Sequence, residues 1–274
     1  MYQEQYQQHI NDFFRLYEQF LLVDSIISIL SDGRDRDIVV RFLLYFTDIV
    51  NKKESKILNH KEEVKKILKG YIVQNDLTKN RCYSFHSSNY YISVISQRIN
   101  NDLNSSFKAF LKASELYEMH RQKLTQQEII SVYRRNALDY YLTAFGVETQ
   151  DEFKVFLVSY TASKQVNGVR LLKQSLMEFN NAISHLYSAW KKKSIDTNME
   201  RAQHHFNRGA LDFYKSIIKE LSMLNKINTS NLDELKNLRC LEYSSIGEER
   251  HKGTVKPLSL YDEYYKFCLE TINN

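Results

Sequence analysis

Proline is almost missing from this chain: Pro257 is the only one in 274 residues, and only seven glycines accompany it. A sheet protein of this length needs many tight turns. Turns draw on those two residues because proline presets φ and glycine tolerates positive φ. Helix interiors exclude both. The shortage argues against a sheet protein and predicts an all-α multi-helix bundle. It also removes the usual phosphate-cradling loops, because neither GxGxxG nor GxxxxGK[ST] occurs, and the GxSxG nucleophile elbow is missing as well.

Cysteine is scarce too. Cys82, Cys240 and Cys268 form no CxxC pair, and an odd, scattered set implies a reducing compartment with no disulfide framework. Apolar stretches such as Phe20 to Val23 and Ser25 to Leu30 fall far short of the roughly 20 residues of a membrane helix. The first residues, Met1 to Phe14, show neither the basic n-region nor the apolar h-region of a signal peptide. The expectation is a soluble, cytoplasmic protein with no membrane partner. An excess of one charge sign is also lacking: 38 basic residues against 33 acidic ones leave +5. A balance so mildly basic does not by itself identify a nucleic-acid binder.

Aromatic residues, in contrast, abound. Nineteen tyrosines and fifteen phenylalanines predict an aromatic core whose hydroxyls need partners when buried. Hydrophobic periodicity predicts helices near 3–30, 35–52, 54–74, 88–120, 126–145, 151–192, 198–226, 231–241 and 259–272. Thr125-x-x-Glu128, Thr149-x-x-Glu152 and Thr197-x-x-Glu200 each read as a capping box. Gly33, Gly70 and Gly146 sit where helix C-termini are expected. The segment Ser244 to Pro257, with Gly247 and Gly253, reads as an exposed loop. The organisation expected is an N-terminal helical unit (1–75), a polar connecting loop (76–89) and a helical bundle (90–274). Tyr2, Tyr6, Ile10, Phe13, Tyr17 and Phe20 recur at helical spacing, as core or as a docking element.

One phrase occurs twice. Arg135-Asn136-Ala137-Leu138-Asp139-Tyr140-Tyr141 is echoed by Arg208-Gly209-Ala210-Leu211-Asp212-Phe213-Tyr214, and Ser114-Glu115-Leu116-Tyr117 by Ser184-His185-Leu186-Tyr187. The matching order predicts a pseudo-repeated antiparallel helical hairpin, over 107–145 and 170–226. At the first-copy counterparts of Arg201, His204 and His205 stand Glu128, Ser131 and Val132. The second copy has thus turned locally basic.

On a helix at about 100° per residue, Arg201, His204, His205, Arg208, Asp212, Lys215 and Lys219 share one stripe. Ala202, Phe206, Ala210, Phe213, Tyr214, Ile217 and Leu221 take the opposite side. On the preceding helix Gln174, Glu178, Asn181 and His185 line one face. In an antiparallel hairpin Glu178, His185 and Asp212 would join the basic stripe. Three readings stay open: a solvated face, a buried polar network through Glu178, His185 and Asp212, or an anion-binding surface of Arg201, His204, Arg208, Lys215 and Lys219.

No metal site is expected. Adjacent His204 and His205 point about 100° apart, and Cys82-x-x-x-His86 is one half-site without a second. No cofactor is implied. For catalysis, Arg201, His204, His205 and Arg208 carry the residue types of acid–base work on phosphate, with Arg81 and His86 as a lesser set. The run Arg81-Cys82-Tyr83-Ser84-Phe85-His86 resembles the Arg/His motif of HEPN-type ribonucleases, small helical proteins that work without metal. It departs from that motif in having cysteine after the arginine and a loop-like context, while Arg201 and His205 lie on a helix but closer together. The resemblance implies RNA cleavage. The leading expectation is a non-catalytic helical binding or accessory subunit of a cytoplasmic, bacterial-type assembly, in defence or a toxin–antitoxin pair. Another protein subunit is its expected partner, with nucleic acid and self-association as alternatives.

Overall fold

The computed structural model describes residues 3–30, 36–74, 89–129, 131–132, 173–191, 194–252 and 258–273. Among them run nine packed α-helices: α1 Gln3–Leu30, α2 Arg36–Val50, α3 Glu54–Gln74, α4 Asn89–Arg98, α5 Asn104–Lys123, α6 Lys173–Trp190, α7 Ile195–Met223, α8 Thr229–Lys252 and α9 Leu258–Asn273. No strand occurs among the described residues. None of their helices is long and apolar enough to cross a membrane. The all-α class expected from the proline and glycine shortage is the one observed.

The chain divides into two compact units, Met1–Lys108 with Lys173–Gly209, and Ala109–Leu172 with Ala210–Asn274. In the first unit α1 packs against α2, α3, α4 and α6, and α2 packs against α3 and α6. Tyr6, Ile10, Phe13, Tyr17 and Phe20 of α1 are all at most 3% exposed. The N-terminal aromatic stripe is therefore core, not a docking face; Tyr2 lies outside the described residues. Phe13 meets Phe42 edge to face at 5.5 Å, Phe46 meets Phe107 at 5.0 Å, and Phe107 meets Phe206 at 5.0 Å. Such pairs add about 0.5–1.5 kcal/mol each beyond the area they bury.

A π-helical turn, Ile99–Leu103, joins α4 to α5. Its wider winding interrupts the regular ladder, and the Asp102 carbonyl within it accepts a hydrogen bond from Gln203 Nε2 of α7 at 2.5 Å. Ile99 and Leu103 bury its apolar side. Periodicity predicts one straight helix over 88–120 and gives no sign of this turn.

In the second unit α8 packs on α9. Phe213 lies 5.5 Å from Phe110 and 5.6 Å from Tyr117, and Tyr214 stacks on Tyr264 at 6.0 Å. The capping box at Thr125 forms as expected: its N–H donates to Glu128 Oε2 at 2.8 Å, and the Glu128 N–H donates to Thr125 Oγ1 at 3.2 Å.

Other local expectations need correction. Thr197 does not open a helix, because α7 starts at Ile195, after Ser194 turns the chain with φ 40° and accepts from the Asn198 N–H. Gly70 ends nothing; it sits inside α3, with open space where a Cβ would go. The expected loop from Ser244 is helical through Lys252. One interior glycine costs only about 1 kcal/mol, too little for Gly247 to stop α8. The box at Thr149, the glycines Gly33 and Gly146, and the first phrase, Arg135 to Tyr141, lie outside the described residues. Of the first hairpin, 107–145, only 107–129 and 131–132 are described, so the repeated seven-residue phrase is seen in one copy alone.

Candidate functional site

Two helices of the first unit meet along polar faces. His185, Glu178 and Ser175 of α6 contact Asn198, His205 and Gly209 of α7 in turn. Numbers fall along one helix as they rise along the other, the signature of antiparallel packing. The apolar side of α7 explains the register: Ala202, Phe206, Ala210, Phe213, Tyr214, Ile217 and Leu221 are each at most 1% exposed. With that side fixed inward, the 3.6-residue period sends Arg201, His204 and Arg208 outward and leaves His205 at the edge.

Glu178 anchors the edge. Its carboxylate is 4% exposed and accepts from His205 Nδ1 at 2.6 Å, with Arg208 Nε 3.4 Å from its other oxygen. A buried carboxylate without partners is costly, so these contacts are what make its burial tolerable. His185 lies parallel to His205, the two ring centroids 5.2 Å apart and the planes 17° from parallel. Its Nδ1 meets Asn198 Oδ1 at 2.9 Å. Asn198 Nδ2 in turn donates to the Ser194 carbonyl at 3.3 Å. Burial lowers the His185 pKa, the Asn198 hydrogen bond opposes that, and the charges of His205 and Arg201 push the same way as burial; the net result lies below an ordinary histidine.

The rest of the stripe disperses. His204 stands 3.8 Å from Glu200, both well exposed. Arg201 is exposed and makes no ion pair among the described residues. The Arg208 side chain is 69% exposed. Asp212, Lys215 and Lys219 belong to the second unit, so the single stripe drawn from periodicity spans both units. Lys215 Nζ is taken by Glu242 Oε1 at 2.6 Å; Lys219 is exposed. Arg81 and His86 lie outside the described residues. Among the described residues no three His, Cys, Asp or Glu side chains gather closely enough to hold a metal ion.

Sequence reasoning missed Asn198, whose spacing of thirteen from His185 carries no motif. It also missed two buried clusters of the second unit. Glu220, 6% exposed, accepts from Arg121 Nη1 at 3.2 Å and Tyr117 Oη at 3.3 Å, with His120 Nε2 at 3.0 Å. The signal was there: Glu220 sits seven residues from Phe213, within about 20° of it on the apolar face, where a charge demands a partner. Glu242, 4% exposed, takes Lys215, Arg239 at 2.5 Å and the Tyr264 hydroxyl at 2.7 Å.

Burial alone would raise the Glu242 carboxyl. The hydrogen bonds from Lys215 and Tyr264, with the charges of Lys215 and Arg239, outweigh it and hold the group below its usual value. A depressed carboxylate stabilises the fold above its unfolded pKa and loses that contribution as pH falls through the folded one. Wild type is therefore expected to outmelt Glu242→Gln near pH 7, and the gap between their melting temperatures to shrink as pH falls towards 3. A gap that is constant over this range would show that Glu242 contributes through packing alone.

Comparison with protein-family models, with curated proteins and with solved structures found no match to this chain.

Proposed function

We propose that this chain is a helical binding subunit of a cytoplasmic assembly, and that the α6–α7 face holds the phosphate backbone of a nucleic acid. The observation that carries the reading is the exposure of two guanidinium groups on one face of α7. Arg201 makes no ion pair among the described residues, and Arg208 is 69% exposed. They are seven residues apart, two helical turns or about 10 Å. Of the nearby carboxylates, Glu178 is buried beneath the stripe and Asp196 is paired with Arg98. His204 and His205 add donors between the arginines. A purely structural network would instead have covered these cations. Defence and toxin–antitoxin systems are the kind of assembly in which such a subunit would serve.

A salt titration tests the reading. Labelled single-stranded RNA is expected to bind with an affinity that falls steeply with salt, since each neutralised phosphate releases counterions. Arg201→Gln and Arg208→Gln should each flatten the log–log slope by about one unit, and Arg201→Gln, at an exposed position with no ion pair among the described residues, should leave the melting temperature nearly unchanged. Absence of binding at low salt, or a slope insensitive to both substitutions, would remove the proposal.

A further inference from the structure

We propose that the α6–α7 face cleaves the RNA it holds, His185 taking the 2′-hydroxyl proton and His205 giving a proton to the departing 5′-oxygen. The inference rests on the phosphate-binding reading above and deepens it. The α6–α7 edge brings together two imidazoles, 5.2 Å apart and nearly parallel. Each is held at Nδ1 by an acceptor of a different kind. Neither Nε2 has a hydrogen-bond partner among the described residues.

The two acceptors assign the roles. Asn198 spends its Nδ2 on the Ser194 carbonyl, so its Oδ1 is the atom that faces His185. An amide oxygen can only accept, so the proton of neutral His185 sits on Nδ1 and the lone pair on Nε2. An amide brings no charge to favour the imidazolium. The Asn198 hydrogen bond itself favours the imidazolium, but burial, the largest effect, and the neighbouring His205 and Arg201 act against it and prevail. His185 is the base. His205 donates its Nδ1–H to a buried carboxylate, Glu178, at 2.6 Å, and a carboxylate there accommodates the positive ring that an acid must be before it gives up its proton. Among the described residues Arg208, which shares Glu178, and Arg201, both on α7, also bear on the pair.

Such a pair supplies a base and an acid but no nucleophile, which suits a substrate that carries its own. The RNA 2′-hydroxyl lies beside the phosphate it attacks, so attack is intramolecular. The O2′–P bond forms as the P–O5′ bond breaks. The O2′ proton passes to His185 Nε2, and the His205 Nε2 proton passes to O5′. The products are a 2′,3′-cyclic phosphate end and a 5′-hydroxyl end, with no redox change and no further reactant. Arg201 and Arg208 are the groups available to stabilise charge on the phosphate oxygens.

The test uses the full chain, a short single-stranded RNA and EDTA throughout, with binding and cleavage read on the same samples. Wild type is expected to leave 2′,3′-cyclic phosphate ends, identified by mass. It should bind 2′-O-methyl RNA equally well without cutting it. His185→Ala and His205→Ala should each slow cleavage by about 10²- to 10⁴-fold with RNA at saturating concentration. If His205→Ala fails to fold, His205→Asn keeps an N–H for Glu178 and reads the same step. Asn198→Ala should move the acidic limb of the pH–rate profile, set by the base His185, to lower pH, because the hydrogen bond that favours its imidazolium is lost; a merely structural residue would leave that limb in place. Binding without cleavage overturns this inference and leaves the binding function standing. Failure to bind overturns both. Cutting of 2′-O-methyl RNA, or full activity in His185→Ala, overturns the acid–base assignment.

Discussion

Glu220→Ala is expected to destabilise the second unit by about 3–5 kcal/mol, the cost of breaking a buried ion pair from one side. The His120 and Arg121 side chains that face Glu220 are 1% and 4% exposed. Removing the carboxylate leaves a guanidinium in a nearly dry site without the partner at 3.2 Å, and water cannot enter freely to replace it. The cost comes from taking a partner away from a buried charge rather than from the net worth of the pair. The double variant Arg121→Met/Glu220→Leu should therefore recover most of the loss, since an apolar replacement of both partners is often neutral. Urea melts of the three proteins decide it. A single variant within about 0.5 kcal/mol of wild type would show the cluster to be solvated.

Phe213→Ala should cost about 3–5 kcal/mol and Leu211→Ala about 2–5 kcal/mol. Phe213 is wholly buried, between the rings of Phe110 and Tyr117, and Leu211 is 4% exposed. Truncating the ring removes its transfer free energy and leaves a cavity that helical backbone cannot collapse to fill. Phe213→Leu, which restores much of the volume, should lose far less. Unchanged urea midpoints in both alanine variants would mean that the apolar face of α7 has been assigned wrongly.

That face is legible in the sequence. Ala202, Phe206, Ala210, Phe213, Tyr214, Ile217 and Leu221 follow the helical period, and every one is buried. Helices α1 and α3 have the boundaries that periodicity predicts. Legibility ends where local rules compete. Gly247 has the look of a break but lies inside α8, and Thr197 has the look of a cap though the helix has already begun at Ile195. Each misreading turns on about 1 kcal/mol, which tertiary packing readily overrides.

The basic stripe shows the limit most clearly. Its residue types and spacing are visible in the chain, but their fates differ. Lys215 is neutralised by Glu242 from α8, Arg208 leans on Glu178 from α6, and Arg201 makes no ion pair among the described residues. Nothing within α7 distinguishes these three cations, because the partners of Lys215 and Arg208 come from other helices.

The sequence by itself determined the helical class, most helix spans and which side of α7 faces inward, because those follow from short-range spacing and from the scarcity of proline and glycine. Only the tertiary structure decided that His185 lies on His205, that Asn198 sets its ring, and that Glu178, Glu220 and Glu242 are buried under charged partners. Those facts depend on the register between helices distant in the chain. Register is set by how whole apolar faces interlock, a property that no single helix carries in its own sequence.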